Sequence, residues 1–587
     1  MTYNLNINKV DGKKRTKTFA ALKKLLFILA DEKKSLVIAL STILVHSTLS
    51  LIGPLLIGHT IDTYVVTKQY HGVLVFSGIL LSMYLISLVT SYLQTKLMGG
   101  VGQRVLFRLR NDIFNKLQEL PVAFFNENKA GDLISRINND TDKLNQFFSQ
   151  YLMQFIGSIF VMTGAGIFLL AINFPLGAAA LAPAVILLVF TRFVTPWVKK
   201  LNAVYLSSTG SLSAEIQESL TNFKVVVAFN RRDYFRERFD EVNRQNFAIA
   251  LKAGLANNLF MPVYGFFSNI GQLIVLTFGI YLISSGHFTI GLLIGFLTYI
   301  NSFYNPLRQL ATLWTNFQIA LAGWDRISQI LSMKTNLNTL AMEPEPCDAA
   351  AVSFRNVSFN YDTGKEILHR ISFELEKGKT YAFVGPTGGG KTTTASLMAR
   401  LYDPTRGMVL LNGRNLRSYM PDERTAKIGF ILQEPFLFTG TIRENVLYGN
   451  EAYADYSNDR LSAVILQAGL ESLLDRFENG LDTKVLNSGE SVSLGQKQLI
   501  AFMRAVLRRP EVLILDEATA NIDTVTEQQL EAILQKLPDT TTRIIIAHRL
   551  NTIENADEIF FINATRIIRA GSMENAVQLL MHGKRDS

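Results

Sequence analysis

Residues 385–392 read Gly385-Pro386-Thr387-Gly388-Gly389-Gly390-Lys391-Thr392. The spacing is G-x-x-x-x-G-K-[ST], the pattern of a phosphate-binding loop. The apolar run Thr380–Val384 before it reads as a strand, and Thr393–Leu401 after it, free of breakers, reads as a helix. The motif requires that strand–loop–helix context. Glycines let backbone N–H groups curl round phosphate oxygens, and the helix N-terminus adds its partial positive charge. In such a loop Lys391 reaches the β- and γ-phosphates and the Thr392 hydroxyl binds Mg²⁺. The competing reading is a glycine-rich turn that only joins a strand to a helix.

Two more apolar strands carry reactive groups. Leu513-Ile-Leu-Asp-Glu517 ends in two acids. Near a phosphate loop, Asp516 can hold Mg²⁺ through water and Glu517 can polarise an attacking water as general base. Ile544-Ile-Ile-Ala-His548 repeats the design and ends on a histidine. Open α/β sheets bind ligands beyond the carboxyl ends of their strands, so these three motifs converge on one edge. Taken alone, His548 reads as a satisfied surface histidine.

Outward from this α/β region the composition changes. The chain has 587 residues, 48% hydrophobic and 18% charged, with 39 Phe. That is too apolar for an ordinary soluble enzyme and implies membrane segments. The single cysteine, Cys347, excludes an internal disulfide framework. Met1–Thr18 is polar and basic and does not read as a secretory signal. Phe19–Ala30 puts its leucines on one face, as a helix lying at the membrane surface does.

Six long apolar segments follow: Ser35–Ile57, Val73–Leu97, Phe147–Ala171, Phe174–Val194, Ala253–Ile283 and Phe288–Pro306. Each is long enough to span a hydrocarbon layer about 30 Å thick. The loops Lys96–Gln146 and Arg192–Lys252 carry eight and ten Lys/Arg, whereas the short loops carry only Lys68. Positive charge stays inside, so both long loops, both termini and the α/β region are expected in the cytoplasm, with the chain multi-pass in the cytoplasmic membrane. This accounts for the net charge of +9 without nucleic acid. The long loops read as helices continuing beyond the bilayer, with hairpin turns near Val122–Ala130 and Ala228–Phe235, each forming a short helix at the tip. No span has Asp or Glu in its middle, which argues against ion-coupled transport and against a fixed counter-ion for a cationic substrate. Tyr264, Phe266, Phe267, Asn269, Gln272, Tyr299, Asn301, Phe303 and Tyr304 are candidates for an aromatic and amide-lined cavity, or for ordinary helix packing. The expected organisation is a basic N-terminus (1–18), a six-helix membrane domain (19–335), a linker around Glu343-Pro-Glu-Pro346 (336–350) and an α/β P-loop domain (351–587).

The order of motifs resembles an ABC exporter half-transporter over nearly the whole chain. The residues are the phosphate loop, Gln433 in Leu432-Gln-Glu-Pro-Phe-Leu-Phe438, Val492-Ser-Leu-Gly-Gln496, Asp516/Glu517, Ala520-Asn-Ile-Asp523 and His548. Phe359-Asn-Tyr361 matches the family's adenine-stacking loop. Phe124-Phe-Asn126, Gly131-Asp132, Ser135-Arg136 and Asp140-Thr141 match its first coupling helix, with Asn126 in place of the more usual aspartate. The resemblance implies a membrane domain of six helices fused to a nucleotide-binding domain. It implies ATP and Mg²⁺ bound by Tyr361, the loop residues 385–392 and Thr393, with the metal near Thr392, Gln433 and Asp516. Catalysis would rest on Glu517, His548, Gln433 and Asp523. Ser493, Gly495 and Gln496 would meet ATP held by a partner subunit. Closure of two such domains would drive the coupling helices and turn the cavity outward.

Two departures stand out. The signature's third position is Leu494 rather than Gly, and an earlier Gly-Glu pair reads Leu486-Asn487. In heterodimeric exporters one subunit often keeps the full catalytic set while donating an altered signature, and this chain is similar to that subunit. The alternative is neutral drift in a homodimer. The implied activity is ATP-driven export of hydrophobic, amphipathic, drug-like compounds. A lipid or peptide exporter, and an ATP-gated channel, remain alternatives on the same fold.

Overall fold

A computed structural model of the chain describes residues 3, 5, 29–334, 337, 339–341, 350–361, 366–486, 492–516, 524–546, 555–563, 566–571 and 573–582. Most of the expected surface helix, Asn487 and most of the expected linker lie outside them. The chain divides into two compact units.

One unit, residues 12–116 and 131–331, is helical. It contains α1 (Lys33–Thr60), α2 (Tyr70–Gln118), whose last residues leave the unit, α4 (Ala130–Ser135), α5 (Thr141–Gln146), α6 (Leu152–Ile172), α7 (Phe174–Thr221), α8 (Phe223–Ala228), α9 (Arg232–Asn258), α10 (Phe260–Ser284) and α11 (Ile290–Leu331); α3 (Val122–Glu127) falls outside this unit. Among the described residues five helical stretches are long and apolar enough to cross a membrane: 30–65, 70–118, 130–172, 174–221 and 232–284. All but the first two residues of the sixth expected span fall within α11, which is 42 residues long. There Thr298, Asn301 and Asn305 interrupt the apolar run on an exposed face. With 49 residues, α2 is about 74 Å long at ~1.5 Å per residue, more than twice the hydrocarbon thickness. The helices therefore do continue well past a bilayer. Asn173 starts α7 by accepting from Leu176 N at 3.0 Å, so a single residue turns α6 into α7.

Some local expectations shift. The second short helix is α8, ahead of the predicted turn, and the reversal comes at 229–231, where Asn230 takes φ 50°. Asparagine tolerates that left-handed backbone, which fixes the turn there. Tyr264, Tyr299 and Tyr304 do not line a cavity. They are buried, and their hydroxyls serve the helices: Tyr299 donates to Leu51 O at 2.6 Å, Tyr304 donates to Ala180 O at 3.0 Å, and Tyr264 meets Thr191 Oγ1 at 3.2 Å. A buried phenol needs a partner, and two helix carbonyls and the Thr191 hydroxyl supply it.

An ion cluster ties α4 to the far end of α11. Arg136, 1% exposed, donates to Asp132 Oδ2 (2.9 Å), Arg326 O (2.6 Å) and Gln329 Oε1 (3.1 Å). Arg326 bridges Asp132 and the buried Asp140 in turn.

The other unit holds residues 117–130 and 332–587 with the first residues of the chain. It includes α3. Its strands are β1 (Val352–Phe359), β2 (Leu368–Leu375), β3 (Thr380–Val384), β4 (Arg406–Leu411), β5 (Arg414–Asn415), β6 (Ile428–Ile431), β7 (Gly440–Thr441), β8 (Lys484–Val485), β9 (Val512–Asp516), β10 (Thr542–Ile546), β11 (Glu558–Asn563) and β12 (Arg566–Arg569). Helices α12 (Lys391–Met398), α13 (Pro421–Lys427), α14 (Ile442–Leu447), α15 (Asn458–Gln467), α16 (Glu471–Leu474), α17 (Leu494–Val506), α18 (Thr524–Lys536) and α19 (Met573–His582) complete it. The main sheet has the order β12-β11-β3-β10-β9-β6, parallel except for β12, and β2-β1-β4-β5 form an antiparallel sheet. Strands β3 and β9 are buried along their whole length, as continuous apolar runs in a covered parallel sheet should be. Tyr381, Phe383, Phe560, Ile514 and Ile544 pack between the two sheets.

Candidate active site

The loop after β3 is built on glycine. Gly385, Gly388 and Gly390 take φ of 151°, 79° and 99°, values that side chains disfavour. A Cβ on Gly385 would stand 2.1 Å from the Ile562 carbonyl oxygen, and one on Gly389 would stand 2.8 Å from the same atom. The loop thus lies directly on β11, and Gly389 N closes it by donating to Pro386 O at 3.0 Å. Lys391 opens α12 and is 5% exposed. Its Nζ folds back to donate to Gly385 O at 2.9 Å and Pro386 O at 3.1 Å. A buried ammonium at a helix N-terminus, ringed by glycine backbone, is a phosphate cradle.

Strand register sets the neighbours. Ile546 pairs with Phe383 on one side and Asp516 on the other, so the carboxyl ends of β3, β10 and β9 stand level. Thr392 donates from Oγ1 to Asp516 Oδ1 at 3.2 Å, and Asp516 is buried. A hydroxyl and a carboxylate are hard oxygen donors, a set that fits Mg²⁺ retaining several waters. Among the described residues no group of three or more His, Cys, Asp or Glu could hold a metal. Glu517, Asp523 and His548 lie outside the described residues, as does the Ala520–Asp523 motif.

Tyr361 stands beside the loop. It is partly exposed, and its hydroxyl meets Thr393 Oγ1 at 3.1 Å. Its ring packs edge-on against Phe359 at 4.9 Å and Tyr402 at 5.3 Å. Tyr402 accepts a hydrogen bond from Asn126 Nδ2 of α3 at 2.6 Å. The sequence marked Tyr361 and Asn126 but not Tyr402, which lies in a bend with no periodic or motif signal. Gln433 sits exposed after β6. Its neighbours Leu432 and Pro435 line a groove edged by the exposed aromatics Phe436, Phe438 and Tyr448, with Arg504 along the wall. Ser493 caps α17: its Oγ accepts from Gln496 N at 3.2 Å, while Gln496 Oε1 accepts from Ser493 N at 2.9 Å. Leu494 follows with its side chain exposed, and Gly495 lies in the first turn.

Residues 36–307 match the ABC transporter transmembrane region, and residues 368–520 match the ABC transporter family. The chain is 32% identical to the ABC transporter ATP-binding protein YfiC of Bacillus subtilis, over 98% of this chain and 95% of that one. The chain belongs to the ABC exporter family. This exporter half is also 34% identical to a fatty acid ABC transporter ATP-binding/permease protein of Mycobacterium tuberculosis, over 84% of this chain and 77% of that protein. It is 30% identical to a multidrug resistance ABC transporter of Lactococcus lactis, over 85% and 84%. Its fold matches the structure of a bacterial Atm1-family ABC exporter with ATP bound, with a TM-score of 0.75 over 94% of this chain and 96% of that one. As an ABC exporter half-transporter it binds and hydrolyses ATP, passes several times through the membrane, and functions in a dimer.

Proposed function

We propose that this half-transporter drives export of hydrophobic, amphipathic compounds across the cytoplasmic membrane, with the termini and nucleotide unit on the cytoplasmic side. The observation that carries the reading is an exposed polar pair in the apolar helices. Gln272 Nε2 of α10 donates to Asn301 Oδ1 of α11 at 2.9 Å, with exposed Phe266 and Asn269 on the same helix as Gln272. Amides and aromatics exposed where lipid would be costly suit a path for amphiphiles. The multidrug resistance and fatty acid relatives, 30% and 34% identical, lend the cargo class support. Fatty acids make a lipid cargo the second reading.

The nucleotide chemistry falls to named residues. Residues Gly385–Thr393 cradle the phosphates, with Lys391 as the charge that meets them, and Tyr361 stacks on the base. Thr392, Asp516 and Gln433 would hold Mg²⁺, which when bound would neutralise phosphate charge. Glu517 takes a proton from the attacking water, His548 holds that water, and Asp523 and Gln433 align the site. Ser493, Gly495 and Gln496 present a helix N-terminus to the nucleotide of the partner half. ATP drives the cycle only if it binds the closed pair better than the open one.

The partner is a second, different half-transporter. Leu494 puts an exposed isobutyl group where the family signature has glycine, so the site this chain completes in its partner is weakened. The test is ATP turnover by this chain alone in lipid discs, beside Glu517→Gln. Binding without turnover is expected. Strong turnover lost in Glu517→Gln would make it a self-sufficient homodimer.

A further inference from the structure

The middle of α1 carries an ionisable group with no role so far. His46 is the fourteenth of the 28 residues of α1. At about 1.5 Å per residue it stands roughly 20 Å from either end, near the centre of the apolar layer. Its Nδ1 meets the Ser87 hydroxyl of α2 at 2.8 Å. Ser87 lies on the one partly covered face of α2, the row Phe76, Leu80, Met83, Ser87, Thr90 and Gln94. Phe76 packs on His59 of α1 at 5.5 Å, and Arg104, further along α2, bonds Glu32 just before α1 at 2.8 Å. Between those two ends, the His46–Ser87 bond is the one side-chain hydrogen bond across the seam among the described residues.

Both members of the pair behave unusually. Neighbouring hydroxyls bond back to their own helix, Ser82 to Gly78 O and Thr90 to Ile86 O. The Ser87 hydroxyl instead has His46 as its one hydrogen-bond partner among the described residues, while the Ser87 carbonyl accepts from Thr90 Oγ1 at 3.0 Å. The His46 ring is only partly buried, and its Nε2 has no hydrogen-bond partner among them. Leaving a polar nitrogen so deep in a membrane is costly, and ionisable groups at that depth mark paths for substrates or protons. No Asp or Glu stands mid-span to balance an imidazolium. The titratable groups nearest that depth are Tyr84 and Tyr92 of α2, both exposed, and Tyr299 of α11, already bonded to Leu51 O. Helix α6 offers none, and Glu32, Arg104, His59 and Asp62 stand towards the ends. The chain's own spans thus lack a counter-ion for His46.

We propose that His46, oriented by Ser87, grips the anionic headgroup of an amphiphilic cargo, and that the grip engages when the imidazole is protonated. This rests on the amphiphile export proposed above and names the class within it. With Nδ1 held by Ser87, Nε2 is the nitrogen left to donate a charge-assisted hydrogen bond to a sulfonate, phosphate or carboxylate. A purely structural bond between helices would be served as well by an uncharged amide. That difference gives the test.

The full chain, co-expressed with a partner half if it needs one, is placed in lipid discs. ATP turnover is followed with hexadecyl sulfonate, anionic at every pH used, and with hexadecanol, neutral and of equal chain length. Wild type, His46→Gln, His46→Asn and Ser87→Ala are compared at pH 6 and pH 8. Wild type should need about tenfold less sulfonate for half-maximal stimulation at pH 6, a coupling of ordinary size, with the hexadecanol response flat. His46→Gln should lose that pH dependence and keep the hexadecanol response, and His46→Asn covers a glutamine variant that fails to assemble. Ser87→Ala should shrink the dependence. A wild type indifferent to pH for sulfonate, or variants that retain its preference, would overturn the proposal. Stimulation by neither compound at either pH would instead overturn the amphiphile reading itself, and this proposal with it.

Discussion

Asn126 Nδ2 of α3 donates to the Tyr402 hydroxyl at 2.6 Å. That one bond joins the short tip helix to the aromatic cluster of Phe359, Tyr361 and Tyr402 beside the phosphate loop. The resemblance to exporters leads one to expect an aspartate at position 126, and an aspartate could only accept from Tyr402. The amide reverses the direction of the bond. Burial raises the Tyr402 hydroxyl above the usual tyrosine range, so it stays a neutral phenol. In denaturant unfolding, a double-mutant cycle of Asn126→Ala and Tyr402→Phe should give a coupling of about 0.5–1.5 kcal/mol. Asn126→Asp should lose less than Asn126→Ala. Equal losses would mean that packing alone holds the tip.

Gly385→Ala should be far worse than an ordinary glycine replacement. The new methyl would meet the Ile562 carbonyl oxygen at 2.1 Å, on a backbone with φ 151°. A loss of at least about 2 kcal/mol in stability, together with ATP binding, is expected from forced strain in a fixed loop. Gly480→Ala is the control, with φ 51° and nothing within 4 Å of the added carbon. It should cost about 1 kcal/mol and spare nucleotide binding.

Leu494→Gly separates drift from design. Glycine in the first turn of α17 should lower stability by about 0.5–1 kcal/mol. If Leu494 weakens the site it completes, ATP turnover by this chain alone should nevertheless rise, by about tenfold for each ~1.4 kcal/mol regained. Unchanged turnover in a phosphate-release assay would assign the leucine no part in choosing a partner.

Acid should loosen the nucleotide unit partly through Glu511. Burial pushes this carboxyl up. The Lys427 ammonium at 2.8 Å and the Asn412 amide at 2.7 Å more than offset that, and hold it below the usual range. A folded value below the unfolded value of about 4.3 gives stability that is fully present above that pH. The stability is lost as pH falls through the folded value. The pair is half-exposed, so the effect should be under ~1 kcal/mol. Glu511→Gln should flatten the difference between melts at pH 6 and pH 3.5 by that amount, and an unchanged difference would clear Glu511 of the role.

The legible parts of this molecule were those where one local rule governs. The phosphate loop, the strand ending at Asp516 and the long apolar helices follow from spacing, buried β runs and bilayer length. Sequence left the tyrosines of α10 and α11 between cavity lining and helix packing, because it gives hydroxyls without partners. Tyr299 and Tyr304 are spent on carbonyls 248 and 124 residues away. Tyr402 was silent for the same reason, since its value comes from Asn126, 276 residues off. His46 was visible as a letter in the middle of a span, but Ser87 gives it a direction only once two helices lie side by side. The turn after α8 falls inside the expected Ala228–Phe235, but the short helix precedes it, because Asn230 takes the left-handed backbone that follows the helix end.

The reciprocal bonds between Ser493 and Gln496 have a thermodynamic consequence. They fix the serine rotamer at the head of α17 before any ligand arrives, and the hydroxyl hydrogen remains available to donate. Ordering a free side chain at an interface costs about 0.5–1.5 kcal/mol. Here folding has already met that cost. Whatever oxygen ligand meets this helix end encounters a serine oxygen already fixed in place, with only its hydroxyl hydrogen left to turn, so more of the contact energy remains to pull two surfaces together.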